Sequence, residues 1–220
     1  MIQKSTLGFL TKIKKNNNRD WFEKNKGLYI TAKEDVEKNI DEILDGIRKF
    51  DKRIPADLAA KKCVFRIYRD VRFAKDKRPY KNNLGASINP GGKKDVSPGY
   101  YIHMQPGESF IAGGMWMPEA PNLNKIRQEI DYNLDEFLKI INDKTFKKIF
   151  GKLSTEDSLV NAPKGFPKDH PAMDILRLKS FIVVADLKDA DVLSKNYVKT
   201  VVSICKAMQP FITFLQRAID

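Results

Sequence analysis

The sequence predicts an α+β fold, a central and mainly antiparallel sheet flanked by helices, with a long amphipathic helix near the N-terminus and a helical C-terminus. Three observations predict it. Apolar residues recur at three- and four-residue spacing toward both ends of the chain, the period of amphipathic helices. In the middle the period drops to two, and Pro106-Gly107 sits where two alternating runs meet, the pattern of an antiparallel hairpin. No strand leads through a glycine-rich phosphate-binding turn into a helix, which excludes a dinucleotide-binding doubly wound sheet. The 220 residues suit one domain, 1–220, with its own core. Hydrophobic residues at 42% and charged residues at 31% exclude disordered and collagen-like chains.

Each element has its own warrant. Leu7, Phe9, Leu10 and Ile13 place a short helix over residues 5–15. Asn16-Asn17-Asn18 ends it, because Asn side chains compete with the backbone for its hydrogen bonds. Asp20 opens a second helix, with Glu23 placed as in a capping box. Tyr29, Ala32, Val36, Ile40, Ile43, Leu44 and Ile47 extend that helix unbroken to residue 47. Residues 61–68 alternate, with Cys63, Phe65 and Ile67 opposite Val64, Arg66 and Tyr68, and read as a strand. Residues 84–89 are a weaker strand, and 90–94 a flexible basic loop. Residues 99–105 and 109–116 form the hairpin, with Tyr101, His103 and Gln105 on one face and Tyr100, Ile102 and Met104 on the other. Gly113-Gly114 marks a bulge in its second strand or a close approach to a ligand there.

Leu123, Ile126, Ile130, Leu134, Phe137, Leu138 and Ile141 predict one helix through residue 142. Phe146, Ile149 and Phe150 predict a short one. Prolines 163, 167 and 171 make 154–171 loop-rich, and 181–185 is a compact buried strand. Residues 195–219 are helical, and Pro210 should kink or split them. Trp21 and Trp116 are expected in the core.

Two cysteines, Cys63 and Cys205, are too few for a disulfide scaffold, and both sit in apolar patterns as buried thiols. With only His103 and His170 to partner them, zinc is not expected. No metal or other cofactor is expected. The basic start is not followed by an apolar signal core, and the longest strongly apolar run, 181–185, falls far short of the ~20 residues of a membrane span. The expectation is a cytoplasmic protein that engages no membrane. No nucleophile-elbow, Walker or H-E-x-x-H motif occurs.

The informative block is residues 61–81. Nine cations (Lys61, Lys62, Arg66, Arg69, Arg72, Lys75, Lys77, Arg78, Lys81) face only Asp70 and Asp76, a local charge of +7 out of the chain's +12. Such clustering makes a local field that evenly spread charge does not. Arginine grips phosphate or carboxylate with a planar fork, and Tyr68, Phe73 and Tyr80 interleave aromatic surface, a combination suited to nucleotides. Two metal ions need several carboxylates together, and Asp70 and Asp76 amid these cations do not supply them.

The pattern Arg66-x-x-Arg69-Asp70-x-Arg72-Phe73-x-x-Asp76-Lys77-x-x-Tyr80-Lys81 resembles the signature of domain of unknown function 2461, a group of bacterial conserved hypothetical proteins of about this length. The opening Phe9-Leu10 with Asn17-Asn18-Arg19-Asp20-Trp21-Phe22, the Gly99-Tyr100-Tyr101-Ile102-His103 hairpin strand, and the later Pro163-Lys164-Gly165-Phe166, His170-Pro171 and Lys179-Ser180-Phe181 are similar to it as well. The resemblance implies where a site lies. It brings no reaction with it.

The leading expectation is an anion-recognition site. Arg66, Arg69, Arg72, Lys77 and Lys81 bind a phosphate- or carboxylate-bearing ligand, with Tyr80, Tyr101 and His103 completing the pocket. His103 would move protons in metal-independent phosphoryl or phosphodiester chemistry. Asp70, ionised between arginines, would orient rather than act as a base. The first rival is a non-catalytic nucleic-acid-binding module. The second is a structural protein whose arginines serve internal salt bridges. His170, before Pro171 in a loop, reads as structural. The oligomeric state is not legible in the sequence.

Overall fold

The computed structural model describes all 220 residues, Met1–Asp220. Ten helices and four strands follow in the order α1 (Lys4–Lys15), α2 (Arg19–Lys24), α3 (Lys26–Ile47), α4 (Ala60–Cys63), β1 (Leu84–Ile88), β2 (Gly99–Met104), β3 (Ser109–Met115), α5 (Ala120–Tyr132), α6 (Leu134–Ile141), α7 (Lys144–Phe150), α8 (Met173–Leu176), β4 (Phe181–Leu187), α9 (Asp189–Val192) and α10 (Tyr197–Ile219). The fold is α+β, and the strands form one antiparallel sheet in the order β1-β2-β3-β4. The residues divide into two compact units. One comprises Met1–Asp95, Tyr101–Ile111 and Asp186–Ser203, and the other Val96–Tyr100, Ala112–Ala185 and Ile204–Asp220.

In the first unit, α1 buries Phe9, Leu10 and Ile13 on the side that meets α3. The N-terminal end of α1 has no cap of its own. Asp35 of α3 supplies one, accepting from the Gln3 amide at 2.8 Å and the Thr6 hydroxyl at 2.6 Å. The single helix expected from Asp20 to Ile47 is two. Asn18, not Asp20, caps α2 by accepting from the Trp21 amide, and Asn25 breaks the chain before α3. Asn at both boundaries favours the extended and bridging conformations that end helices.

The strand expected over 61–68 is not one. Residues 60–63 are the helical turn α4, and only isolated bridges, Val64 with Ala86 and Tyr68 with Tyr80, pair the extended stretch that follows. The basic loop expected to be flexible is tied to this turn. Gly92–Lys94 is a 3₁₀ turn, and its Lys93 ammonium takes the carbonyls of Lys61 at 2.9 Å and Val64 at 2.7 Å.

In the second unit the helix expected through residue 142 breaks at Asn133, between α5 and α6. Phe137 of α6 packs on Phe211 and Phe214 of α10, with ring centroids 6.2 and 5.0 Å apart, and Phe146 of α7 reaches Phe211 at 5.9 Å. These contacts bury much of the helix's apolar face. By length and composition α10 is the one helix apolar enough to cross a membrane. It runs unbroken through Pro210. Pro210 and Lys206, whose carbonyl loses its helical donor, are both exposed, so water can stand in for the missing N–H. Buried Arg127 donates to the carbonyls of Leu176 and Leu178, fixing the approach to β4. Trp116 is 74% exposed, contrary to the core position expected. It follows the irregular end of β3, beside Met117 at φ 44°.

Gly113 and Gly114 mark a close approach to the protein's own atoms, not to a ligand as the sequence suggested. A methyl group at Gly113 would enter the Met208 side chain of α10. One at Gly114, where φ is 122°, would enter the Phe181 carbonyl of β4. Gly114→Ala should therefore destabilise by about 3 kcal/mol, from left-handed strain plus a clash with backbone. Gly107→Ala, also at positive φ but facing open space, should lose about 1 kcal/mol. Urea unfolding of both variants checks the difference.

Candidate functional site

The sequence brings its cations to one place by an indirect route. The Asn17 side-chain amide pairs with the backbone of Tyr80 as a strand would, donating to its carbonyl at 2.9 Å and accepting from its N–H at 3.0 Å. The Tyr80 ring, 4% exposed, stacks on Phe22 at 4.0 Å. From this anchor the backbone runs antiparallel to residues 67–69, through Arg69 N–H to Pro79 O and Lys81 N–H to Ile67 O. The segment between, 70–78, projects as a loop.

Most of the arginines in the loop are tied to their own neighbours. Asp76 accepts from Arg69 at 2.6 Å and from both Nε and Nη2 of Arg78. The Arg78 bonds, and then Arg69, hold its carboxyl far below the usual carboxylate range. Asp70 makes a two-pronged pair with Arg72, at 3.0 and 2.7 Å, which lowers its pKa too. Lys77 donates to the carbonyls of Val71 and Arg72. Arg66 is exposed and forms no hydrogen bond.

Beside this loop lies a cavity of about 380 Å³, with Lys81, Asn82, Asn83 and Tyr101 among its lining and the Arg69–Asp76–Arg78 cluster in its wall. A second cavity of about 520 Å³ shares Asn17, Asp76 and Arg78 and adds Arg19 and Lys77. Lys81 is the distinctive cation. It is half-buried, with its Nζ 5.3 Å from the Phe65 ring, and has no carboxylate partner. Burial, and then the charge of Arg66, push its pKa down. The Asn82 and Asn83 side-chain amides are likewise uncommitted to the protein.

Tyr101 leads away from the cavity into a chain of hydrogen bonds. Its hydroxyl lies 3.2 Å from His103 Nδ1, His103 Nε2 lies 3.2 Å from Gln105 Oε1, and Gln105 Nε2 donates to Glu108 at 2.6 Å. Glu108 in turn faces Lys14 at 3.6 Å. The His103 ring stacks on Phe110 at 4.5 Å. Burial lowers the His103 pKa more than its bond to Gln105 and the Glu108 charge raise it, and Lys81 lowers it further. The balance favours the neutral ring. Burial also raises the Tyr101 phenol.

The family model for conserved hypothetical proteins of the DUF2461 family matches residues 5–214. The chain belongs to this family. Neither the curated proteins nor the solved structures contain a match.

In this DUF2461 chain the anticipated residues separate into three groups. Lys81 and Tyr101 meet at the cavity, and His103 stands behind Tyr101. Arg69 and Tyr80 line the same cavity, but Arg69 is neutralised by Asp76 and the Tyr80 ring belongs to the core. Asp70, Arg72 and Arg66 are not in the lining, and Lys77 borders only the second cavity. The arginines do not reach the acidic side of α3; they pair within the loop. His170 has both ring nitrogens engaged, accepting from the Ala172 amide and facing Asp131 at 2.9 Å, as a structural histidine should. Sequence reasoning missed Asn17, Asn82, Asn83 and Glu108. The Asn82-Asn83 pair directly after Lys81 was the available signal, since paired amides in a basic block add donors and acceptors without charge.

Asp76→Asn should release Arg69 and Arg78 together. The expected result is faster hydrogen exchange at the Arg69 and Arg78 amides, with little change in melting temperature, because exposed ion pairs contribute little. The sign with pH follows. Stability linked to Asp76 is complete above 3.8 and fades as pH falls below that value toward its lowered folded pKa.

Proposed function

We propose that the Lys81 cavity is an anion-recognition site for a small phosphate- or carboxylate-bearing molecule. The observation that carries this reading is the half-buried Lys81 ammonium with no carboxylate partner. A partly desolvated charge with only an aromatic face beside it lacks a counter-charge, and an anion supplies one. Asn82, Asn83 and Tyr101 surround it with neutral polar groups that distinguish one anion from another. The phosphoryl or phosphodiester chemistry anticipated from the sequence would pass its proton between Tyr101 and His103, with Lys81 facing the developing charge. Anion recognition does not require it. Two unpaired thiols suit the reducing cytoplasm.

The test is a thermal-shift titration with inorganic phosphate, sugar phosphates, nucleotides and dicarboxylates. A ligand at a hundred times its dissociation constant should add ~2.7 kcal/mol, or about 5–10 °C for a chain of this size. Lys81→Met should keep the fold and lose the shift. The shift should also fade as pH rises toward 10.5, because Lys81 loses its proton below that ordinary value. A shift that persists in Lys81→Met sinks the reading.

One observation favours a second reading. Phe73 is 96% exposed at the loop tip, with the Arg72 guanidinium 5.9 Å from its ring and Lys75 and Lys77 close in sequence. An exposed ring among cations suits stacking on the bases of a single-stranded nucleic acid. On that reading, an oligonucleotide should bind with an affinity that falls steeply with salt, and Phe73→Ala should weaken it about tenfold or more. Fluorescence anisotropy reads both, and salt-independent or unaltered binding would exclude the reading.

A further inference from the structure

Resting on the anion-site reading, the hydrogen-bond chain behind Tyr101 narrows the ligand. Glu108 is an acceptor, so the Gln105 atom facing it at 2.6 Å is the amide nitrogen. The Gln105 oxygen must then face His103, and His103 Nε2 must carry a proton to donate to it at 3.2 Å. In the neutral ring Nδ1 is consequently a bare lone pair, and the Tyr101 hydroxyl spends its single proton there. Stacking on Phe110 holds the ring plane, and burial, with the Lys81 charge, favours the neutral ring against the opposing Gln105 bond and Glu108 charge. Gly85 completes the placement, because a side chain at that position would begin 2.5 Å from the Tyr101 oxygen.

Tyr101 is therefore an acceptor toward the cavity. The phosphate of a monoester dianion offers only acceptors, so by itself it would meet Lys81 favourably and the Tyr101 oxygen unfavourably. A ligand that carries a hydroxyl beside its phosphate satisfies both, and Asn82 and Asn83 can bond further hydroxyls in either sense. About 380 Å³ lies within the usual range of small-ligand sites, and well above the needs of an inorganic ion. We infer that the cavity takes a polyhydroxylated phosphate of sugar-phosphate size, its phosphate on Lys81 and one hydroxyl donating to the Tyr101 oxygen.

Isothermal titration with ribose 5-phosphate, glucose 6-phosphate and methyl phosphate, a monoester without a hydroxyl, at neutral pH tests this. In the wild type at least one sugar phosphate should bind about tenfold tighter than methyl phosphate, the size of one well-made hydrogen bond. Tyr101→Phe should shrink that advantage while methyl phosphate still binds. His103→Leu is the second variant. It frees the Tyr101 proton to point into the cavity, so methyl phosphate should bind more tightly and the sugar-phosphate advantage should shrink. Phosphate binding that Lys81→Met abolishes, with no sugar-phosphate advantage or one unaltered in both Tyr101→Phe and His103→Leu, overturns this inference and leaves the anion site standing. No binding of any phosphate to the wild type overturns the inference and, with it, the phosphate form of the anion site.

Discussion

The clasp of Asn17 on the Tyr80 backbone is the constraint on which the site depends. A side-chain amide carries one donor and one acceptor in nearly the geometry of a peptide, so it can complete a backbone pair where no strand is available. With Tyr80 fixed and its ring against Phe22, the following residue has little freedom. Lys81 is directed to the cavity while its N–H remains on Ile67. The clasp joins residues 63 positions apart in sequence, from the link between α1 and α2 to the end of the basic loop. Helical N-terminal residues thus set the position of a cation they do not touch in sequence.

The basic block divides its labour by residue type. Arg69, Arg72 and Arg78 use their planar forks on Asp76 and Asp70, two carboxylates that each lie two residues from an arginine partner. Pairing of this kind shapes the loop and cancels much of its field at close range. What remains is uneven. Arg66 is solvated, Lys77 caps carbonyls, and Lys81 alone combines burial with the absence of a counter-ion. A count of +7 in the sequence therefore overstated the charge left unpaired in this segment.

The fold class, the hairpin and its facing residues, the buried cysteines and most helices were legible because each rests on local periodicity or turn chemistry. Tyr100, Ile102 and Met104 are buried and Tyr101 and His103 half-buried, the alternation the sequence showed. The failures lie in what periodicity does not encode. Residues 61–68 alternate like a strand, but 61–63 lie in the helical turn α4, and a side chain 29 residues from Val64, Lys93, donates to its carbonyl. The breaks at Asn25 and Asn133 interrupt apolar patterns that continue in phase across them, so periodicity cannot see them. Trp116 looked like core by size, yet it follows the glycines that end regular β3 geometry. In the site, the pairing of arginines with carboxylates two residues away was within reach of the sequence. The meeting of Lys81 with Tyr101 was not, since nothing local links the loop to the hairpin.

The order of groups at the cavity also revises the part assigned to His103. Read along the strand, His103 and Tyr101 were equivalent neighbours on one face, and the histidine was the obvious proton carrier. In the fold only Tyr101 lines the cavity, and both nitrogens of His103 are already engaged. Gln105 matters most in this arrangement. Because Glu108 dictates which end of the amide faces His103, a surface carboxylate fixes the tautomer of a half-buried imidazole, and through it the direction of the Tyr101 O–H bond. The direction of the Tyr101 O–H bond is thus decided three hydrogen bonds away, at the turn of the hairpin. Substitutions at Gln105 or Glu108 belong to the site as much as those at Tyr101, although neither residue borders the cavity.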